Sequence, residues 1–510
     1  MNILWQSVAP WHGTGYGTQT AGACKLLKEL GHDVIISACY GLMEGGFVRW
    51  RGIPVHPGDK DWGSRHTKKY VDRFKSDIVI SLQDIWPLPP GFGSDVPWYP
   101  WFPIDHNPIP PLVLERLQFA RKPIVYSKFA EKQLKNKGID CFYFPHGVGV
   151  DIFKPGEKLS FGEGKFVIGC VAVNSGLRKN LTGLVEAFYD FHKLVPESLL
   201  YIHTNYSGQH LGDTDLLNLS SDLDITDSVM FPDKEEYISG NFNDEYMAKL
   251  YNTFDVFCLP SRGEGFGIPI IEAQACGVPV IVTGETSMPE LVGGGIVLKK
   301  LKREWTYQDS YQFIPDKQEI VNALLKIYET KDRSKMSNLA IRKANEYSWD
   351  KLKPLLSNLM NKIDEHRKQP LNREGVQNPR LLLIPKSIEH KKVLDIGSGV
   401  TRPYKIHLEQ LGDYTAVDIE GGEDIVKADA CHLPFNEKEF GFAWCSEVLE
   451  HVDGGAKQYL LIKEAKRVSD HGVIIFPTKH NNNFNADPGH NEIEVNDYNL
   501  DCYGNGYFVW

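Results

Sequence analysis

What most constrains the fold of this chain is its rhythm: short apolar runs of strand character alternate with helix-length segments almost from end to end. That alternation predicts parallel sheets covered by helices. In a first series, NILWQSVAP reads as a strand, WHGTGYGTQ as a glycine-rich turn and TAGACKLLKEL as a helix. Gly31 stops that helix, and DVIISACY is the next strand. DIVISLQD, PWYPWFPI, PIVYS and CFYFPHG continue the series. A second series opens at KFVIGCVAVNSGLRKN and runs through SLLYIHTN, SVMFP, DVFCLPS, VPVIVTG and GGIVL, with helical patterns such as LTGLVEAFYDFHKL and DEYMAKLYNTF between. HGVGVDIFKPGEKLSFGEG, rich in Gly and Pro, is the natural hinge between them. From Lys317 to about His366 the pattern is helical and ends polar. RKQPLNREGVQNP has the composition of a linker, and a third strand–turn–helix series begins at KKVLDIGSG. The expected division is residues 1–150, residues 151–366, a linker over 367–380 and a last domain over 381–510.

A length of 510 residues exceeds what one core serves. Apolar residues at 42% and charged residues at 24% are ordinary for a globular chain, which sets disorder aside. A net charge of −10 argues against a nucleic-acid coat. The basic stretches RKPIVYSKFAEKQLKNK and KKLKR read as solvated faces. Nine cysteines, an odd number with no Cys-x-x-Cys pair, read as buried thiols in a reducing compartment. No apolar run approaches the ~18 residues that cross a bilayer. MNILWQSVAP has no basic leader, so the expected location is cytoplasmic.

Ligands of open α/β sheets bind at the carboxyl ends of the strands. After the first strand come Gly13, Gly15 and Gly17, where the backbone could approach a phosphate; a bare glycine turn explains them equally well. After VIGCVAV come Arg178 and Lys179, just ahead of a helix whose N-terminus is already electropositive. Two cations there call for a bound anion, unless they are merely solvated. After VFCLPS comes RGEGFGIPIIEAQACGVPVIV, residues 262–282. Pro269 suits the first turn of a helix that carries Glu272 and ends at Gly277. Glu272 in an opening turn is favoured by the dipole, so capping alone could explain it. Glu264, flanked by glycines, is placed to accept hydrogen bonds from paired hydroxyls such as a sugar presents.

EGFGIPIIEAQACGVPVI resembles the Glu-x7-Glu signature of retaining GT-B glycosyltransferases of the family 4 kind, a fold of two Rossmann-like doubly wound domains. GLRKNL resembles that family's Arg/Lys pair and FPHGVGVDIFKP its inter-domain stretch, in the right order over residues 1–365. The resemblance implies that Arg178 and Lys179 neutralise a leaving nucleoside diphosphate, and that Glu264 contacts the donor sugar. Gly265, Phe266 and Gly267 would lend backbone amides, Glu272 would hold the ribose, and the turn from Gly13 to Gly17 would close over the phosphates. Asp105 and His106, in WFPIDHNPIP, fall where family members touch sugar or acceptor, with Asp105 alternatively bracing its loop; His146 reads as structural. Such enzymes need no metal, and no Asp-x-Asp cluster of the metal-dependent kind stands out. The implied partners are a UDP- or GDP-sugar and a glycan, lipid, protein or modified nucleic acid as acceptor; a homo-oligomer is compatible with the sequence.

KVLDIGSGVTRPY, YTAVDIEGG, KADACHLPF and GFAWCSEVLEHV, followed by HGVIIFPTKH, resemble the blocks of a class I S-adenosylmethionine-dependent methyltransferase, a further Rossmann-like domain. The resemblance places Asp395, Gly397 and Gly399 near the methionine part of S-adenosyl-L-methionine, Asp418 at its ribose and Asp429 near its adenine. Thr401 replaces the third glycine of the turn, and the polar tail after HGVIIFPTKH leaves little room for the family's last helix and two strands. The expectation is therefore a shortened domain, with weak or no cofactor binding. Two alternatives stand beside a glycosyltransferase with this appendage: a bifunctional glycosyl- and methyltransferase, and a non-catalytic glycan- or nucleotide-binding protein.

Overall fold

The computed structural model describes residues 1–369 other than 43–44, 60–61, 90–91, 94–95 and 208–212; residue 388; residues 391–477 other than 400–403, 423, 447 and 453; and residues 499–500 and 505–509. The chain forms two compact units, Met1–Asn372 and Arg373–Trp510.

The first unit holds two sheets. Eight strands make the first: β1 (Asn2–Ser7), β2 (Asp33–Ala38), β3 (Val48–Trp50), β4 (Ile53–Pro57), β5 (Ile78–Leu82), β6 (Trp98–Phe102), β7 (Ile124–Val125) and β8 (Phe142–Tyr143). Their order is 3-4-2-1-5-6-7-8, parallel except where β3 pairs antiparallel with β4. Six strands make the second: β9 (Phe166–Val171), β10 (Ser198–His203), β11 (Val229–Met230), β12 (Val256–Leu259), β13 (Val280–Thr283) and β14 (Gly295–Leu298), all parallel in the order 11-10-9-12-13-14. Strands such as IVISL and VFCL are buried along their whole length, as strands covered on both faces must be. In each sheet the order reverses at one place, beside β1 in the first and β9 in the second. The loops that leave such neighbours diverge to opposite faces and open a crevice at the carboxyl ends.

Two hairpins went unanticipated. β3 and β4 are joined by Arg51 and Gly52, both at positive φ (49° and 76°), the turn that suits a tight hairpin. β15 (Leu301–Trp305) and β16 (Tyr311–Pro315) form a separate antiparallel pair. The first helix, Gly15–Glu29, also starts earlier than expected. Thr14 caps it by accepting from Gly17 N at 3.2 Å, and a Cβ on Gly17 would lie 2.1 Å from the His12 carbonyl oxygen. The last helix of this unit, Trp349–Arg367, returns to the first sheet. Trp349 fills the hollow left by Gly22 and Gly147, Arg367 pairs with Asp77 at 3.0 Å, and Tyr99 Oη lies 3.1 Å from His366 Nδ1. The Gln19 amide meets Gly147 of the hinge in both directions at 2.8 Å.

The second unit contains β17 (Lys392–Ile396), β18 (Asp413–Asp418), β19 (Ile425–Lys427), β20 (Phe440–Ser446), β21 (Ser469–Pro477), β22 (Asn499–Leu500) and β23 (Asn505–Val509). Their order is 19-18-17-20-21-23-22. The expectation of an irregular tail without the last two strands is corrected here: β23 runs antiparallel along the open edge of β21, and β22 along β23. An edge of unpaired amides and carbonyls on β21 is a template that recruits such a strand. The rest of the expected tail lies outside the described residues. Among the described residues no helix is long and apolar enough to cross a membrane.

Candidate functional site

The two reversal points meet. The loop after β9 delivers Arg178 and Lys179, and Asn180 (φ 54°) caps the following helix, Leu181–Leu194, while bonding the Pro260 carbonyl at 3.2 Å. The loop after β12 delivers Glu264, only 5% exposed. Lys179 Nζ lies 2.6 Å from Glu264 Oε1, and Arg178 Nη1 lies 3.2 Å from Oε2 and 3.0 Å from the Gly263 carbonyl. The anion these cations call for is, in the free protein, a carboxylate of the same chain. Burial favours the neutral acid, but Lys179 and then Arg178 outweigh it and hold Glu264 below its ordinary range. Burial, reinforced by Arg178, lowers Lys179 in spite of Glu264.

Small residues let the halves touch here. A Cβ on Gly263 would lie 2.0 Å from the Asp105 carbonyl oxygen, and one on Gly265 would lie 2.4 Å from Pro103 Cβ. The Phe266 ring is buried against Tyr126, His146 and Tyr347, so this residue can offer a ligand only its backbone. Thr286 Oγ1 accepts from Glu264 N at 3.1 Å, and Ser287 Oγ lies 2.7 Å from the carbonyl oxygens of Glu264 and Phe266. Gly267 (φ 110°) caps the helix Ile268–Ala275 in a conformation suited to glycine. Among the described residues the amides of Gly265, Phe266 and Gly267 donate to no protein group, nor do those of Gly13 and Gly15. Gly15 stands against the second helix start, its Cβ direction 3.2 Å from Ile268 Cδ1, and Gly13 faces open space.

Across from these cations, the loop after β6 brings Asp105 and His106. His106 is 1% exposed; its Nδ1 bonds Asp105 Oδ1 at 2.7 Å, and its Nε2 has no partner among the described residues. Asp105 Oδ2 lies 3.7 Å from Arg178 Nε. Burial would raise the Asp105 pKa, but His106 and then Arg178 bring it down to about 2. Arg178 is raised, because Glu264, Asp105 and Asp84 together overcome its burial. Asp105 thus both orients His106 and faces a cation.

Glu272 departs from expectation. The helix begins at Ile268 and carries no acidic residue in its first turn, so Glu272 lies in the second and capping does not explain it. Tyr251 Oη donates to Oε2 at 2.8 Å. Burial, with a contribution from Asp244 and against the Tyr251 bond, raises Glu272 to about 7. His146, expected to be structural, is 2% exposed between Trp101, Tyr126 and Phe266, and burial lowers it to about 3.

Two neighbours escape a reading of the sequence alone. Tyr16 Oη donates to Asp84 Oδ2 at 3.0 Å, and burial, followed by the Asp105 charge, lifts Asp84 to about 6. The available signal is in DIVISLQD, whose aspartate ends a strand beside a reversal point. Asp213-Thr214-Asp215 has the spacing of an Asp-x-Asp cluster, but Asp215 caps a helix through Asn218 N and Asp213 accepts from Gly176 N.

In the second unit, β17 lies between β18 and β20, which makes the turn after β17 the reversal point. Gly397 (φ 68°) and Gly399 (φ 60°) shape that turn; a Cβ on Gly397 would lie 2.2 Å from Val448 Cγ2, while the Gly399 side is open. Asp418 Oδ2 accepts from Gly399 N at 3.1 Å and Oδ1 from Glu420 N at 3.0 Å. Asp395 is buried, and its Oδ2 accepts from Tyr414 Oη at 2.7 Å. Asp429 accepts from Cys431 N within its own turn at 2.8 Å. Thr401 lies outside the described residues.

Residues 156–338 match the family model of glycosyl transferases group 1, and residues 394–476 that of a methyltransferase domain. The O-antigen chain mannosyltransferase B of Escherichia coli is 36% identical over 119 residues, 23% of this chain and 28% of that protein. A D-inositol 3-phosphate glycosyltransferase of Mycobacterium leprae is 26% identical over 222 residues, 40% of this chain and 45% of that one. The chain thus spans less than half the length of these curated relatives. Among solved structures, a sucrose-phosphate synthase from Thermosynechococcus elongatus superposes with a TM-score of 0.57 at 15% identity, covering 72% of this chain and 99% of that one. An Anabaena protein in complex with UDP and glucose gives 0.51 at 14% identity, covering 71% and 100%. The chain carries a glycosyl transferases group 1 domain within a GT-B fold, followed by a methyltransferase domain.

Proposed function

We propose that residues 1–366 transfer a sugar from a nucleoside-diphosphate sugar to an acceptor hydroxyl, with retention and without a metal. One observation carries the reading: Arg178 and Lys179 converge on one carboxylate, Glu264, beside helix starts whose leading amides are unpaired among the described residues. Such a place stabilises a diphosphate. When the diphosphate arrives, the two cations turn to it, and Glu264 is released to accept hydrogen bonds from the sugar's hydroxyls. As the glycosyl–phosphate bond breaks, negative charge grows on the leaving oxygen, where preorganised cations and amides lower its energy most. Glu272 takes the ribose hydroxyls once ionised, with Tyr251 holding its other oxygen. His106, oriented by Asp105, presents Nε2 to the sugar or the acceptor. A dedicated carboxylate nucleophile is unnecessary if the acceptor attacks the face that the phosphate leaves. UDP is favoured as the nucleotide by the Anabaena neighbour's ligand, and GDP is tested beside it.

The test is release of nucleoside diphosphate from UDP-, GDP-, ADP- and TDP-sugars without acceptor, read by mass spectrometry. Release from one donor, lost in Glu272→Ala and Arg178→Ala while both variants stay folded, supports the reading. Full activity in both variants overturns the assignment of the site, and silence over the whole panel favours the non-catalytic binding protein.

For the methyltransferase domain, Gly397, Gly399 and Asp418 fit an adenosine-bearing ligand, while Asp395 is bonded to Tyr414 and Asp429 to its own turn. S-adenosyl-L-methionine would supply an activated methyl group there; Asp418 would hold its ribose, and the glycine turn would give the backbone access. We expect weak or no binding. A clear calorimetric titration lost in Asp418→Ala would instead support the bifunctional alternative.

A further inference from the structure

The β15–β16 hairpin belongs to neither sheet and is tied to both halves of the cleft. On one side, Phe313 N donates to the Arg262 carbonyl at 2.8 Å, and Arg262 N donates to the Arg178 carbonyl at 2.7 Å. On the other, Asn107 N donates to the Tyr311 carbonyl at 3.1 Å, and Ser310 Oγ donates to the Pro108 carbonyl. The hairpin therefore bridges the loop of Arg178 and Glu264 and the loop of His106.

Its register sorts its side chains. Arg303 opposes Phe313 and Trp305 opposes Tyr311 on one face; Glu304 opposes Gln312 on the other. On the second face Gln312 is buried, while Glu304 is exposed and pairs with Arg262 at 3.1 Å. The first face looks outward: Trp305 is 55% exposed, its ring edge-on to Tyr311 at 4.8 Å, and the Arg303 guanidinium sits 4.6 Å over the Tyr311 ring. Tyr307 at the tip is 85% exposed. The tip holds itself in shape: Thr306 Oγ1 donates to the Ser310 carbonyl at 3.0 Å, and Gln308 Nε2 donates to Tyr307 Oη at 3.2 Å.

We infer that this outer face is a carbohydrate platform that seats the acceptor, a glycan chain, as it enters the cleft. An aromatic strip with an amide and a guanidinium at its margin matches a pyranose, which shows an apolar C–H face ringed by hydroxyls. A contiguous aromatic pair rimmed by polar groups is the kind of surface that marks a binding site. The platform is continuous with the cleft through Tyr311 and Asn107, one residue from His106, so a chain lying on it points its end at the reacting centre. The inference rests on the glycosyltransferase reading and narrows its acceptor to a polymer of sugars.

The experiment is affinity electrophoresis of the full chain in gels containing mannan, dextran, galactomannan or xylan. Retardation of the wild type by at least one polysaccharide is expected, weakened about tenfold in a Trp305→Ala/Tyr307→Ala variant of unchanged melting temperature and largely kept in Trp305→Phe. No retardation in any gel, or equal retardation of the alanine variant, overturns the platform. So does a variant that instead loses binding to phosphatidylglycerol vesicles or loses self-association. Nucleoside diphosphate release by the same wild-type preparation is scored separately. Release without retardation sinks the platform alone, and retardation without release sinks turnover alone.

Discussion

Glu272 offers the sharpest test of the donor site, because its protonation and its proposed role conflict at mildly acid pH. In the free protein it titrates near pH 7, raised chiefly by burial. A carboxyl whose folded pKa is raised lends stability that is fully present below its ordinary value and lost as pH rises through about 7. Ribose hydroxyls donate best to the ionised form, so donor binding has the opposite dependence and strengthens as pH rises. If only the ionised form binds, affinity falls by a factor of one plus ten raised to the difference between the pKa and the pH. That factor is about elevenfold at pH 6 and nearly one at pH 8, so the interval spans about tenfold. UDP-glucose is the suitable probe, since its diphosphate diester does not titrate there. Isothermal titration in two buffers of different ionisation heat should show about one proton released per donor bound at pH 6, and almost none at pH 8. Glu272→Gln should bind more weakly and show a flat profile. A flat profile in the wild type, or a slope that survives in Glu272→Gln, refutes the argument.

Gly263→Ala places a methyl 2.0 Å from the Asp105 carbonyl oxygen, so it should lower stability by about 1–3 kcal/mol and reduce donor turnover, both read on purified protein. Unchanged melting and turnover would mean that the halves do not meet there. Glu264→Ala leaves the part-buried Lys179 without its nearest anion, which should cost about 3 kcal/mol by denaturant unfolding. Added pyrophosphate should restore more stability to this variant than to the wild type; an equal effect on both would separate Glu264 from the anion site. His146 is held neutral by burial, with a pKa near 3, so its contribution is present above its ordinary range and lost as pH falls. His146→Phe should therefore lose less stability than the wild type between pH 7 and pH 4.5, by on the order of 2 kcal/mol. Equal losses would show that His146 does not cause the acid sensitivity.

Much of this was legible because strand-plus-helix alternation leaves few ways to place a loop. Once VIGCVAV and DVFCLPS are read as strands, the loop after each lands at a carboxyl end, and Arg178, Lys179 and Glu264 share a crevice wherever those strands are neighbours. Their mutual pairing is harder to see. Two cations at a helix start suggest an anion from outside the chain, whereas burial at 5% exposure makes an internal carboxylate the cheapest partner when no ligand is present. Glu272 is misplaced by sequence for a local reason. The helix starts at Ile268, as Pro269 suggests, but Glu272 falls in its second turn, beyond the reach of capping, and desolvation there raises it to about 7. Asp84 shows locally only its place at the end of DIVISLQD; its elevated pKa has no local sign, since it comes from burial and from Asp105, which lies on another strand's loop. The β3–β4 turn is hidden because Arg51 occupies a position where Asn or Asp usually signals a hairpin. β23 is the limiting case: residues Asn505–Val509 are read as a strand only because the edge of β21 lies ready to pair with them. Local pattern therefore positions the groups that can do chemistry, while their charge states are set by neighbours that only the folded chain brings near. The donor-binding profile of Glu272 is for that reason a better test of this site than the presence of the Glu-x7-Glu spacing.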